Sequence, residues 1–123
     1  MSDITNISTV KDFNKFLSDS NKDKKSCIFC IKSPDCKPCV QFLDPSIEEW
    51  KESCEDDLNI GIMIRPLSFE NMPITKQQVS MAFGNPKMPF VVLYDSNSME
   101  IGRYNSNTLG DLNDEIEKLM LNV

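Results

Sequence analysis

The chain has 123 residues, 40% of them hydrophobic and 26% charged, with a net charge of −6 and no histidine. That length supports one domain, spanning 1–123, with a hydrophobic core of its own. The acidic balance argues against a nucleic-acid partner, which requires clustered Lys and Arg. The lack of His removes Cys–His and Ser–His catalysis and every His-containing metal site.

No apolar run approaches the roughly 20 residues of a membrane helix, so no membrane association is expected. The segment Met1-Ser2-Asp3-Ile4-Thr5-Asn6 shows neither the basic start nor the apolar core of a signal peptide. Five cysteines, an odd number with no visible leader, fit a reducing compartment. The expected location is therefore cytoplasmic, where a close cysteine pair is more readily catalytic than structural. The one basic patch, Lys22 to Lys25, reads as a solvated loop.

Taken in order, Ile4 and Ile7 suggest a short, weak edge strand. Thr9-Val10-Lys11-Asp12 resembles a capping box with Asp in place of Glu. Val10, Phe13, Phe16 and Leu17 follow at helical spacing, predicting a helix over 9–19. Residues 26–32 are apolar on both faces, as a central strand covered by helices requires. A helix is expected from about 37, with Val40, Leu43, Ile47, Trp50 and Cys54 as its buried stripe. Pro45 interrupts it, and Asp44 followed by Glu48 and Glu49 looks like a fresh cap and first turn.

Leu58 to Ile64 reads as another buried strand. Pro66 and Pro73 bracket a loop, Leu67 to Met72. Thr75-Lys76-Gln77-Gln78 is a second capping box opening a short helix to about Phe83, and Gly84-Asn85-Pro86 is a turn. Residues 89–94 form a third strong strand, Asp95 to Ser98 a hairpin turn, and Met99 to Tyr104 a more exposed return strand. Leu109, Leu112, Ile116, Leu119 and Met120 mark an amphipathic helix over about 108–121. This α/β order implies parallel crossovers followed by an antiparallel hairpin, a mixed sheet of four to five strands with helices on both faces.

The chemistry concentrates in Cys36-Lys37-Pro38-Cys39, which follows the strand at 26–32 and leads into a helix. Two cysteines at that spacing and in that place are redox hardware. A metal site is the competing reading, with Cys27 and Cys30 supplying two more thiols. Cys27 and Cys30 are three apart on a strand, so their side chains point to opposite faces and only one can join the other pair. They, and Cys54, read as core residues that pack as small hydrophobes. No metal or other cofactor is expected.

The element order, with Cys36-Lys37-Pro38-Cys39 after the first strong strand and Met88-Pro89 opening the hairpin, resembles the thioredoxin family over nearly the whole chain. The resemblance implies a thioredoxin-like fold and a monomeric protein-disulfide oxidoreductase. Its partners would be protein disulfides and a reductase or dithiol electron donor. It implies that Pro89 is a cis-proline beside the dithiol, Cys36 the attacking and Cys39 the resolving thiol. Lys37, Pro38, Met88 and Pro89 would contact substrate, with the backbone of Met88 pairing with an extended peptide. The alternative is a redox-inactive binding or scaffold module on the same fold.

The sequence departs from the family pattern in several places. Lys37 stands where Gly is usual, Asp35 where Trp is usual, and Pro45 falls one residue late. Asn105 occupies the place of the small residue after the hairpin. The buried acid expected six residues before the first cysteine is replaced by Cys30. Lys37 and the helix start favour the Cys36 thiolate, which implies a couple more oxidising than typical thioredoxin.

Overall fold

The computed structural model describes residues 4–33, 36–53, 57–64 and 88–121. The loop Leu67 to Met72, the capping box at Thr75 with its short helix, the turn at Gly84, Asp35 and Cys54 lie outside the described residues.

Strand β1 (Ile4–Asn6) leads into helix α1 (Val10–Lys22), and β2 is Ser26–Lys32. A π-helical segment, Cys39–Leu43, runs into α2 (Asp44–Ser53). Then come β3 (Leu58–Ile64), β4 (Phe90–Tyr94), β5 (Glu100–Tyr104) and α3 (Leu109–Leu121). The sheet has five strands in the order β1-β3-β2-β4-β5. β1 and β2 are both parallel to β3, whereas β4 is antiparallel to β2 and to β5. The expected mixed sheet is therefore present, with β2 at its centre and β1 at its edge.

Alternation along β2 sorts the core into two layers. Ile28 and Cys30 face Leu43, Ile47 and Trp50, with Leu112 and Ile116 of α3, on one side. Cys27, Phe29 and Ile31 face Phe16 of α1, with Phe13 and Leu17 packed against the same cluster, on the other. The sequence-based separation of Cys27 from Cys30 onto opposite faces holds, and both are fully buried.

The capping box of α1 forms in both directions. Asp12 N–H donates to Thr9 Oγ1 at 3.0 Å, and Thr9 N–H donates to Asp12 Oδ2 at 3.2 Å. The backbone N–H of Ser8, which also reaches that carboxylate, is the main reason the Asp12 carboxyl is held below its usual range. The helix runs three residues past the expected Asp19. Ser20 makes this possible by turning inward: its hydroxyl donates to Phe16 O at 2.9 Å and accepts from Asn59 Nδ2 at 3.1 Å. A polar stretch thus continues a helix because one of its residues is satisfied in the core.

Gly61 lets the corner between β1 and α1 lie directly on β3. A Cβ there would stand 2.7 Å from Ile7 Cδ1 and 3.0 Å from two carbons of the Phe16 ring. At the far side of the sheet, Asp95 Oδ1 accepts from Asn97 N–H and Met99 N–H, closing the β4–β5 turn. Ser98, with φ of 62°, completes it and donates its hydroxyl to Leu17 O. Asn105 belongs to another turn, in which its N–H donates to Thr108 Oγ1 at 2.8 Å just before α3.

Two local readings need correction. Val40 is 51% exposed and takes no part in the stripe of Leu43, Ile47 and Trp50. Asp44 is not a fresh cap, because its own backbone is helical and the chain passes through it without a break. The cause is Pro45, which has no N–H to return to Gln41. The turn before it widens, and Asp44 N–H donates to Cys39 O, five residues back. The widened turn changes the angular position of every residue between Cys39 and Leu43, which is why α-helical spacing misplaces Val40.

Candidate functional site

Cys36 and Cys39 lie at the start of the helix that follows β2, and their sulfurs are joined in a disulfide. Ser33, which is buried, precedes them, and Cys36 N–H donates to Ser33 O at 3.2 Å. Helical backbone begins at Lys37. Pro38, with φ of −61°, fits a first turn and lacks a donor that would have no intrahelical partner there. Cys39 N–H donates to Cys36 Sγ at 3.3 Å, and Val40 N–H to Cys36 O at 3.2 Å. Cys36 therefore occupies a position where free backbone N–H groups and the helix dipole stabilise an anion.

The two sulfur-bearing residues differ in access. Cys36 is half-buried and Cys39 is 1% exposed. Lys37 is exposed and Pro38 half-buried between them.

The Met88–Pro89 peptide bond is cis. Antiparallel pairing sets Phe90 opposite Ile31, so Pro89 falls beside the end of β2, from which the chain leaves for Cys36. Pro89 is buried, whereas Met88 is half-buried against the core layer of α1. On the other side of β2, Ile64 pairs with Lys32 at the same end of the sheet. Topology thus gathers the six residues marked by sequence at one end of the central strands.

Solved structures resemble this fold closely. Thioredoxin from Fasciola hepatica is 13% identical, the match covering 94% of this chain and 98% of that one at a TM-score of 0.70. Thioredoxin O1 from Arabidopsis thaliana, in the oxidized state, is 15% identical over 94% and 96%, with a TM-score of 0.71. Thioredoxin NaTrxh from Nicotiana alata is 19% identical over 96% and 93%, with a TM-score of 0.70. The chain has the thioredoxin fold. No family model matches the sequence, and no curated relative matches it.

On this thioredoxin fold, the thiol of Cys30 stands where the family resemblance leads one to expect an acid. It is fully buried, and desolvation pushes it up to about 12, so it is a neutral thiol at physiological pH. Cys27, on the other face, is pushed up to about 11, again chiefly by desolvation, with Ser20 as its hydrogen-bonding neighbour. Neither is a ready nucleophile, since thiolate is the reactive form. Among the described residues, no group of three or more Cys, Asp or Glu side chains is arranged to hold a metal ion.

Sequence reading missed one element of the site. Lys32 Nζ donates to Asp44 Oδ1 at 2.7 Å, tying the end of β2 to the start of α2. Asp44 is the same residue whose N–H reaches Cys39 O, so the charge pair anchors the segment that carries Cys39. The two residues are 12 apart on different elements, and no local spacing signals such a pair. A cavity of about 320 Å³ lined by Lys25, Ser26, Asp57 and Asp95 lies at the opposite end of the strands and is unrelated to the dithiol.

Proposed function

We propose that this protein is a thiol-disulfide oxidoreductase acting on protein disulfides through Cys36 and Cys39. The observation that carries the reading is the unequal pair itself: an accessible Cys36 at a helix start, disulfide-linked to a buried Cys39. A scaffold that uses the fold only for docking has no need of such a pair.

In the reduced state the Cys36 thiolate attacks one sulfur of a substrate disulfide. The other substrate sulfur leaves as thiolate and takes up a proton. Cys39, deprotonated, then attacks Cys36 Sγ, and the second substrate thiolate departs. Two electrons have passed from the dithiol to the substrate, and Cys36–Cys39 is left oxidised. A dithiol donor, or a reductase, restores it by the same exchange. Lys37 supplies positive charge beside the attacking sulfur. Pro38 stiffens the turn between the cysteines. Met88, held by the cis peptide to Pro89, offers backbone N–H and C=O groups to an extended peptide flanking the target disulfide. We place this reaction in a reducing compartment such as the cytoplasm and on a monomer, with no metal or organic cofactor.

Reduction of insulin disulfides by a dithiol donor tests this reading. Turnover should require both cysteines and vanish in Cys36→Ser. A Cys39→Ser variant should accumulate mixed disulfides with its substrates. Turnover that survives Cys36→Ser would sink the assignment.

A further inference from the structure

Among the described residues, exposed apolar side chains lie on the helix that follows the dithiol. Val40 and Phe42 are each 51% exposed, one and three residues beyond Cys39; two apart on a helix they point to different sides, and it is Phe42 that shares a side with the outer face of α2. Phe42 stands about 9 Å from Cys36 along the helix axis, at roughly 1.5 Å of rise per residue. A phenylalanine half in water on a helix whose neighbours Leu43 and Ile47 are buried gains nothing for the fold.

The outer face of α2 continues from Phe42. Ser46 Oγ donates to Phe42 O at 2.9 Å, which fixes these two one turn apart on the same side. Exposed Pro45 and Glu49 fall on that line, at i+3 and i+7, with exposed Glu48 and Glu52 flanking it. The three glutamates form no ion pair among the described residues. Among the described residues the nearby charges of opposite sign are Lys32, already paired with Asp44, the exposed Lys37 at the dithiol, and the half-buried Lys51, three residues on from Glu48. The surface leaving Cys36 therefore runs from apolar to strongly acidic.

Given the oxidoreductase reading, on which this inference rests, a polypeptide must approach Cys36, and this surface adjoins its path. We propose that the substrate polypeptide docks along the outer face of α2, seating an apolar side chain on Phe42 and setting basic residues against Glu48, Glu49 and Glu52. Burial of the apolar contact holds the complex, and charge complementarity sets encounter rate and register. The substrates of this protein are then basic polypeptides that carry a disulfide close to an apolar residue and a Lys- or Arg-rich stretch.

Two synthetic disulfide-bridged peptides test this, identical except that the flank beyond the apolar residue is Lys-rich in one and Glu-rich in the other. The full-length reduced protein should show kcat/KM about tenfold higher for the basic peptide at low salt, a preference that largely disappears in 0.5 M salt. The triple variant E48K/E49K/E52K should reverse the preference, a result that misfolding cannot produce. Phe42→Ser should lower kcat/KM for both peptides and keep their ratio. Equal rates for the two peptides, with a small neutral disulfide still reduced by the wild-type protein, overturn the docking face and leave the oxidoreductase reading intact. Failure to reduce any disulfide overturns both.

Discussion

The Lys32 ammonium donates to Asp44 Oδ1 at 2.7 Å and so joins the end of β2 to the start of α2, on either side of the dithiol. The side chains are 22% and 40% exposed, so solvent screens the pair and its contribution is modest. A double-mutant cycle with Lys32→Met and Asp44→Asn should give a coupling energy of about 0.5–1 kcal/mol in urea unfolding. Asp44→Asn alone should cost more than Lys32→Met, because it leaves a partly buried ammonium without its partner. A coupling indistinguishable from zero would reduce the pair to an incidental surface contact.

The difference in access between the paired cysteines predicts their reactivity. In the reduced protein, iodoacetamide should modify Cys36 at least about tenfold faster than Cys39, and Cys27 and Cys30 only on unfolding. Mass mapping of partially alkylated protein reads this directly. Equal labelling of Cys36 and Cys39 would contradict the assigned division of roles.

The redox potential offers a separate check. Cys39 N–H, the helix start and Lys37 all favour the Cys36 thiolate, and Cys30 provides no acid to assist Cys39. Stabilising the reduced form makes the couple more oxidising, so the potential should lie above the roughly −270 mV of thioredoxin. Equilibration with glutathione, followed by quantification of the Cys36–Cys39 disulfide, measures it. A potential at or below that value rejects the argument.

The two buried thiols make stability depend on alkaline pH. Burial raises Cys27 from 9.0 to about 11 and Cys30 from 9.0 to about 12. Below pH 9 both are protonated in the folded and the unfolded chain, and their contribution to stability is fully present. Above it the unfolded chain ionises first. Each thiol then lowers the unfolding free energy by about 1.4 kcal/mol per pH unit until its folded value is reached. Urea melts from pH 8 to 10.5 should show this decline, and Cys30→Val should remove about half of the thiol contribution. An unchanged slope in that variant would mean that Cys30 is not the titrating group.

Much of this protein is legible in the amino-acid order because the signals are local. The bounds of β2 and β3 follow from apolar runs between polar stretches, and the capping box at Thr9 from side chains three residues apart. The dithiol is visible as a motif, and the opposite facing of Cys27 and Cys30 follows from the two-residue period of a strand.

What only the tertiary structure decided involves partners distant in sequence or a departure from regular geometry. The extension of α1 to Lys22 depends on Ser20 meeting Asn59, 39 residues away. The pairing of Lys32 with Asp44 depends on packing α2 against the sheet. The exposure of Val40 depends on a π-helical turn, because α-helical periodicity assumes a rotation per residue that the chain abandons before Pro45. Sequence alone places the Cys36–Cys39 pair; the surface beside it and the charges around it exist only once the chain is folded.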